Sequence, residues 1–127
     1  MRIFVTGSTG HLGEALCRVL RDAGEDVVSI DVLPSAHTTL VGSVADRALV
    51  RDALQGVDAV LHAATLHKPH VVSHTRQDFV DTNVTGTLNL LEAATANKVR
   101  SFIFTSTTST FGDALTPPRG SDRKSVV

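Results

Sequence analysis

Three glycines, Gly7, Gly10 and Gly13, lead from the end of an apolar run into a helix-forming segment in Met-Arg-Ile-Phe-Val-Thr-Gly-Ser-Thr-Gly-His-Leu-Gly, the first stretch of the chain. Residues Ile3 to Val5 suit a buried strand, and Gly7 allows the tight turn that follows it. Gly10 lets backbone approach a pyrophosphate, and Gly13 permits close packing of helix on strand. A phosphate at this turn meets a helix N-terminus, where free N–H groups and the helix dipole favour negative charge. Glycines also collect in ordinary turns, so the context matters. The second apolar run, Val27 to Ile30, ends at Asp31. An acid at that strand tip accepts both ribose hydroxyls of an adenosine and repels a 2′-phosphate, which favours NAD over NADP. The other reading of Asp31 is a helix cap or turn residue.

The 127 residues are enough for one domain with a real core, and few for a dinucleotide-dependent enzyme that carries its own substrate region. A formal charge of −1 without a basic stripe gives nucleic acid or an anionic membrane no electrostatic basis for binding. Cys17 is the only cysteine, which rules out an intramolecular disulfide and fits a reducing compartment. Its place inside the first helix reads as a buried, inert thiol. No stretch approaches membrane-spanning length and the chain starts directly on a strand, so a cytoplasmic location is expected.

Strand and helix signals alternate with short connections, the pattern of βαβ units and a mostly parallel sheet. Five strands are expected: Ile3 to Thr6, Val27 to Ile30, Thr39 to Val41, Ala59 to His62, and Ser101 to Thr105. Their continuous apolar runs suit strands covered on both faces. Three helices are expected over Leu12 to Ala23, Asp46 to Leu54, and Thr75 to Asn97. Gly86 falls inside the third, where glycine costs about 1 kcal/mol relative to alanine, so close packing against a neighbour is expected there. Right-handed crossovers give a three-layer α/β fold of Rossmann type with strand order 3-2-1-4-5, incomplete beyond the fifth strand. Residues 1–116 form the expected domain, and 117–127, with Pro117, Pro118, Gly120 and a polar run, form an expected disordered tail.

These segments, in this order, resemble the extended short-chain dehydrogenases, also called the NAD-dependent epimerase/dehydratase family, of which UDP-glucose 4-epimerase is a familiar member. The stretch Thr6-Gly7-Ser8-Thr9-Gly10-His11-Leu12-Gly13 resembles the family's nucleotide loop, and Asp31 matches its ribose-binding acid. Gly42-Ser43-Val44-Ala45-Asp46 resembles its Gly-Asp-x-x-Asp segment, whose first acid contacts adenine. Ser43 stands at that position, so a serine hydroxyl and the Val44 backbone replace a charge-assisted contact. Leu61-His62-Ala63-Ala64-Thr65 is similar to the His-x-Ala-Ala turn, which implies that Ala63, Ala64, Thr65 and His67 line the nicotinamide side. Asn83-Val84-Thr85-Gly86-Thr87-Leu88 matches the long-helix signature, whose asparagine touches the cofactor side. The segment Phe102 to Gly112 resembles the fifth strand and the Ser/Thr stretch after it, and implies Thr107, with Ser106 as neighbour, for the substrate hydroxyl. A hydroxyl-rich turn that satisfies its own backbone is the alternative for these residues.

The family's general base is a tyrosine, with a lysine four residues on that lowers its pKa. This chain contains no tyrosine, and its lysines are Lys68, Lys98 and Lys124. The resemblance therefore implies a truncated or frame-disrupted member that lacks general-base catalysis worth about 10²–10⁴-fold. The fifth strand then becomes an exposed edge, with marginal stability and self-association expected. His62, His67, His70 and His74 fit no common zinc spacing, so no metal is expected, and a loop over the cofactor with His67 near the nicotinamide is preferred. The implied parent acts on a nucleotide sugar by transient hydride transfer. The alternatives are a reductase of steroids or aldehydes, a non-catalytic NAD-binding protein, and a non-functional gene remnant.

Overall fold

The structure, a computed structural model, describes residues 1–107. The expected tail at 117–127 and the end of the Ser/Thr segment lie outside the described residues. Strands Arg2–Thr6 (β1), Asp26–Asp31 (β2), Leu40–Val41 (β3), Ala59–His62 (β4) and Ser101–Phe104 (β5) form one parallel sheet in the order β3-β2-β1-β4-β5. The expected strands are found to within a residue or two at each end. Thr105, expected as strand, lies just past β5, yet its N–H still donates to the His62 carbonyl at 3.0 Å.

Because β1 is central, its side chains feed two cores. Phe4 joins Val28, Ile30, Val60 and the helices on one face, in a cluster that includes Val50, Leu54, Leu90 and Ala94. Ile3 and Val5 point the other way, to Val27 and Cys17 with Leu16 and Leu20 beside them. Full burial of each large aliphatic side chain is worth about 1.5–3 kcal/mol, so the first, larger cluster dominates cohesion. Cys17 is buried as expected, and desolvation pushes its thiol pKa up, away from reactivity.

Helix His11–Asp22 (α1) covers the second face over β1 and β2. Helix Arg47–Ala53 (α2) starts where the Asp46 carboxylate accepts the Leu49 N–H at 3.0 Å. The expected single helix over Thr75 to Asn97 is instead three consecutive pieces: Arg76–Phe79 (α3), a π-helical turn over Val80–Thr85, and Gly86–Ala96 (α4). The Gly86 N–H reaches back to the Asp81 carbonyl, which inserts one extra residue into the turn. Gly86 is buried against Val44, as its place in the sequence suggested: a Cβ there would sit 2.4 Å from Val44 Cγ2. Tertiary fit to the turn after β3 thus accompanies the break in helical regularity. A short 3₁₀ turn over Lys68–Val72, unforeseen in the sequence, follows the β4 turn.

Among the described residues β5 is a sheet edge, with Ile103 and Phe104 exposed by 56% and 54%. Beside it, a groove of about 330 Å³ opens between Ile3, Leu20, Leu61 and Ile103. No helix among the described residues is long and apolar enough to cross a membrane.

The Gly86 contact gives a stability prediction in which two effects oppose. Alanine gains about 1 kcal/mol of helix propensity, but overpacking a filled core costs about 1–3 kcal/mol. Gly86→Ala should lower stability by about 1 kcal/mol in urea denaturation, and adding Val44→Ala should make the pair less than additive. Unchanged or raised stability in Gly86→Ala would contradict this packing.

Candidate functional site

All strands run the same way, so every strand's C-terminal end lies at one sheet edge. The chain leaves β1 for β2 and β3 on one side, then crosses to β4 on the other. The reversal at β1 and β4 is a topological switch point, where open α/β sheets form a crevice. The residues singled out in the sequence gather along this edge. Gly7, Gly10, His11, Leu12 and Gly13 follow β1, Asp31 ends β2, Ser43 and Val44 follow β3, and Ala63, Ala64, Thr65 and His67 follow β4.

Gly7 turns the chain with φ +79°, a left-handed conformation that L side chains rarely adopt. A Cβ on it would also press within 2.9 Å of the Ala64 nitrogen. At Gly13 the constraint is space: a Cβ would lie 1.9 Å from the Gly7 carbonyl oxygen. Helix α1 therefore starts directly against the turn. No side chain caps it, and its first helical bond runs from Glu14 N–H to the Gly10 carbonyl at 2.9 Å. Helix geometry then directs the His11, Leu12 and Gly13 N–H groups out of the exposed N-terminus. This uncapped cradle fits a pyrophosphate.

Asp31 receives the Thr9 N–H on one carboxylate oxygen at 3.0 Å and the Leu33 N–H on the other at 3.1 Å. It holds the glycine turn to the end of β2, as the turn-residue reading expects. A carboxylate has about four acceptor sites, so one site per oxygen stays open to a ribose diol. The next segment is pinned by two buried serines that the sequence reading passed over. Ser8 Oγ meets Thr38 Oγ1 at 2.8 Å, and Ser29 Oγ donates to the His37 carbonyl and accepts the Thr39 N–H at 3.0 Å.

Ser43 Oγ accepts the Ala45 N–H at 3.0 Å, inside its own turn. Val44 is buried in the core, which leaves its backbone as the part that can face a ligand. Asn89 of α4 fixes this turn by donating to the Val44 and Ala45 carbonyls at 3.0 and 3.1 Å. Nothing in the spacing of Asn89 marked it beforehand.

After β4 the turn is held from both sides. Thr6 Oγ1 accepts the N–H groups of Ala63 and Ala64 at 3.1 and 2.9 Å. Asn83, in the π-helical turn, clamps the next residue: its Oδ1 accepts the Leu66 N–H and its Nδ2 donates to the Leu66 carbonyl, both at 2.8 Å. Thr65 Oγ1 also donates to Asn83 Oδ1, at 3.2 Å. Most of the Asn83 amide is thus spent on positioning the turn. His62 is separated from the other expected histidines. It is buried between β1 and α4, with Nδ1 2.7 Å from Thr6 Oγ1 and Nε2 2.9 Å from Thr87 Oγ1. His67, His70 and His74 instead stack edge to face, and the His67 N–H donates to His70 Nδ1 at 3.0 Å. Thr107 lies past β5 on the same sheet edge and is exposed, as is Ser106.

The model of the NAD dependent epimerase/dehydratase family matches residues 3–126. A sterol demethylase protein B from Methylococcus capsulatus is 35% identical over 98% of this chain and 39% of its own length. A UDP-glucose 4-epimerase from Klebsiella pneumoniae is 31% identical over 89% of this chain and 94% of its own length. Among solved structures, a short-chain dehydrogenase/reductase superfamily protein from Agrobacterium tumefaciens with bound NAD superposes with a TM-score of 0.80 at 36% identity, covering 89% of this chain and 34% of that one. The chain thus spans about two fifths of the Methylococcus protein's length.

Burial holds the His62 pKa down at about 4, below its ordinary 6.5. An unfolded His62 takes up a proton near pH 6.5 while the folded one does not until about pH 4. Its contribution is therefore intact above pH 6.5 and is lost as pH falls toward 4, by about 3 kcal/mol in all. Urea midpoints between pH 7.5 and 4 should show that decline, and His62→Gln should flatten it. An equally steep decline in the variant would assign the effect to other groups.

Proposed function

The chain belongs to the NAD dependent epimerase/dehydratase family, and from that premise we propose that residues 1–116 are the NAD-binding Rossmann unit of a protein acting on nucleotide sugars. One observation carries the reading. At the β1/β4 switch point, a glycine turn that admits no side chain, an uncapped helix N-terminus and an acid at the tip of β2 share one sheet edge. In this reading the N–H groups after Gly10, with His11 and Leu12, hold the pyrophosphate. Asp31 takes the adenosine ribose on its open acceptor sites, and Ser43 and the Val44 backbone border adenine. Ala63, Ala64, Thr65 and His67 line the nicotinamide side, and Asn83 acts through the Leu66 backbone it clamps. Thr107 holds the substrate hydroxyl. Bound NAD supplies a hydride acceptor for a secondary alcohol.

The 127 residues contain no tyrosine, so they do not supply the phenol that would take the alcohol's proton. That absence supports a second reading, NAD binding without turnover by this chain. A non-sugar substrate has its own support: the Methylococcus relative, named for sterol chemistry, is as similar as the epimerase.

Calorimetric titration tests the proposal. The chain should bind NAD and prefer it to NADP by about tenfold or more, a difference of about 1.4 kcal/mol. Asp31→Ser should narrow that preference by removing the charge that repels a 2′-phosphate. With UDP-glucose and NAD, the chain alone should show no epimerisation. Preference for NADP, or no nucleotide binding by the folded chain, would overturn the proposal.

A further inference from the structure

Thr6 has one hydroxyl hydrogen and two lone pairs. The N–H groups of Ala63 and Ala64, at 3.1 and 2.9 Å, occupy both lone pairs. Its hydrogen must then go to the remaining neighbour, His62 Nδ1, at 2.7 Å. That nitrogen is an acceptor and carries no proton. The neutral ring bears its hydrogen on Nε2 and donates it to Thr87 Oγ1 at 2.9 Å. Thr87 completes the sequence by donating its own hydrogen to the Asn83 carbonyl at 2.8 Å. Each donor in this row meets one acceptor, and reversing any member leaves two hydrogens, or two lone pairs, facing each other.

The row connects three parts of the crevice. At one end Thr6 ties the glycine turn to Ala63 and Ala64. At the other, Thr87 reaches the backbone of Asn83, whose side chain clamps Leu66. We propose that His62 is a positioning residue for the nicotinamide-side turn, fixed as the neutral Nε2–H tautomer and setting Ala63–Leu66 between the glycine turn and the π-helical turn. This inference rests on the NAD-binding reading and adds to it a residue that touches no ligand. A charged His62 would carry hydrogens on both nitrogens, so Nδ1–H would face the Thr6 hydroxyl hydrogen. Thr6 would then have to release Ala63 or Ala64. The ring is 2% exposed, and its neighbours are Thr6 from β1, Thr87 from α4, and Phe102 and Phe104 from β5, none of them charged. No carboxylate stands among these contacts to offset the desolvation of an imidazolium.

The test uses the whole 127-residue chain. Long-range proton–nitrogen NMR correlations of the imidazoles should show His62 with Nδ1 bare, Nε2 protonated, and no titration between pH 5 and 8. In parallel, NAD and ADP are titrated against the wild type, Thr87→Val and Thr87→Ser, with circular dichroism confirming the folded state. Thr87→Val removes the acceptor of Nε2–H, and should weaken NAD by about fivefold to tenfold while ADP, which lacks the nicotinamide half, changes less than twofold. Thr87→Ser, which keeps the hydroxyl, should restore NAD affinity. An Nδ1–H tautomer, titration of His62 near pH 6.5, or equal losses for NAD and ADP would overturn the inference. If Thr87→Val binds NAD like the wild type, the inference fails while the function stands. If the folded wild type does not bind NAD, both fail.

Discussion

The turn after β1 and the turn after β4 meet backbone to backbone, and the rest of the crevice is arranged around that contact. Gly7 lies so close to Ala63 and Ala64 that no side chain fits on it, and the Thr6 hydroxyl binds both neighbouring N–H groups. Gly13 then sets α1 directly on the Gly7 carbonyl. The position of the helix N-terminus, and so of any anion it holds, follows from the same contact. A net hydrogen bond here is worth about 1 kcal/mol, but a buried group left without a partner costs about 1–3 kcal/mol. Among the described residues no buried side-chain polar atom lacks a partner.

The long helical run serves both ends of the crevice. Asn83 holds the turn after β4 and Thr87 meets His62 at the end of that strand, while Gly86 and Asn89 face the turn after β3. The π-helical turn at Val80–Thr85 lies at the start of this set of contacts. One helical run thus contacts both the turn after β3 and the turn after β4, and a shift in its register would move both together. The Arg47–Glu92 ion pair, at 2.8 Å on the surface between α2 and α4, adds little by comparison.

Much of this was legible in the sequence because it rests on short-range rules. Apolar runs of strand length, the glycine spacing and the acid at Asp46 mark the strands and two helices almost to the residue, and right-handed crossovers then order the sheet. Gly86 was legible as a packing glycine because it breaks a propensity rule inside a helical pattern. The π-helical turn was not, since no local pattern in Val80–Thr85 departs from that of an ordinary helix. The roles of Ser8, Ser29 and Asn89 were hidden because a buried serine or asparagine looks like any surface one until its partner elsewhere in the chain is known. His62 stood out in the sequence as one of several histidines and as the histidine of the His-x-Ala-Ala resemblance, but its hydrogen-bond row depends on three elements meeting.

In the proposed function, three turns, after β1, β3 and β4, form one nucleotide-binding crevice. Amide hydrogen exchange of the chain with and without saturating NAD tests it most directly. Gly7–Gly13, Ser43–Ala45 and Ala63–Leu66 should gain protection together, at the same NAD concentration, while the far end of the sheet at Asp58 and Arg100 is unchanged. Protection confined to one turn, or absent from all three in a folded chain, would contradict it.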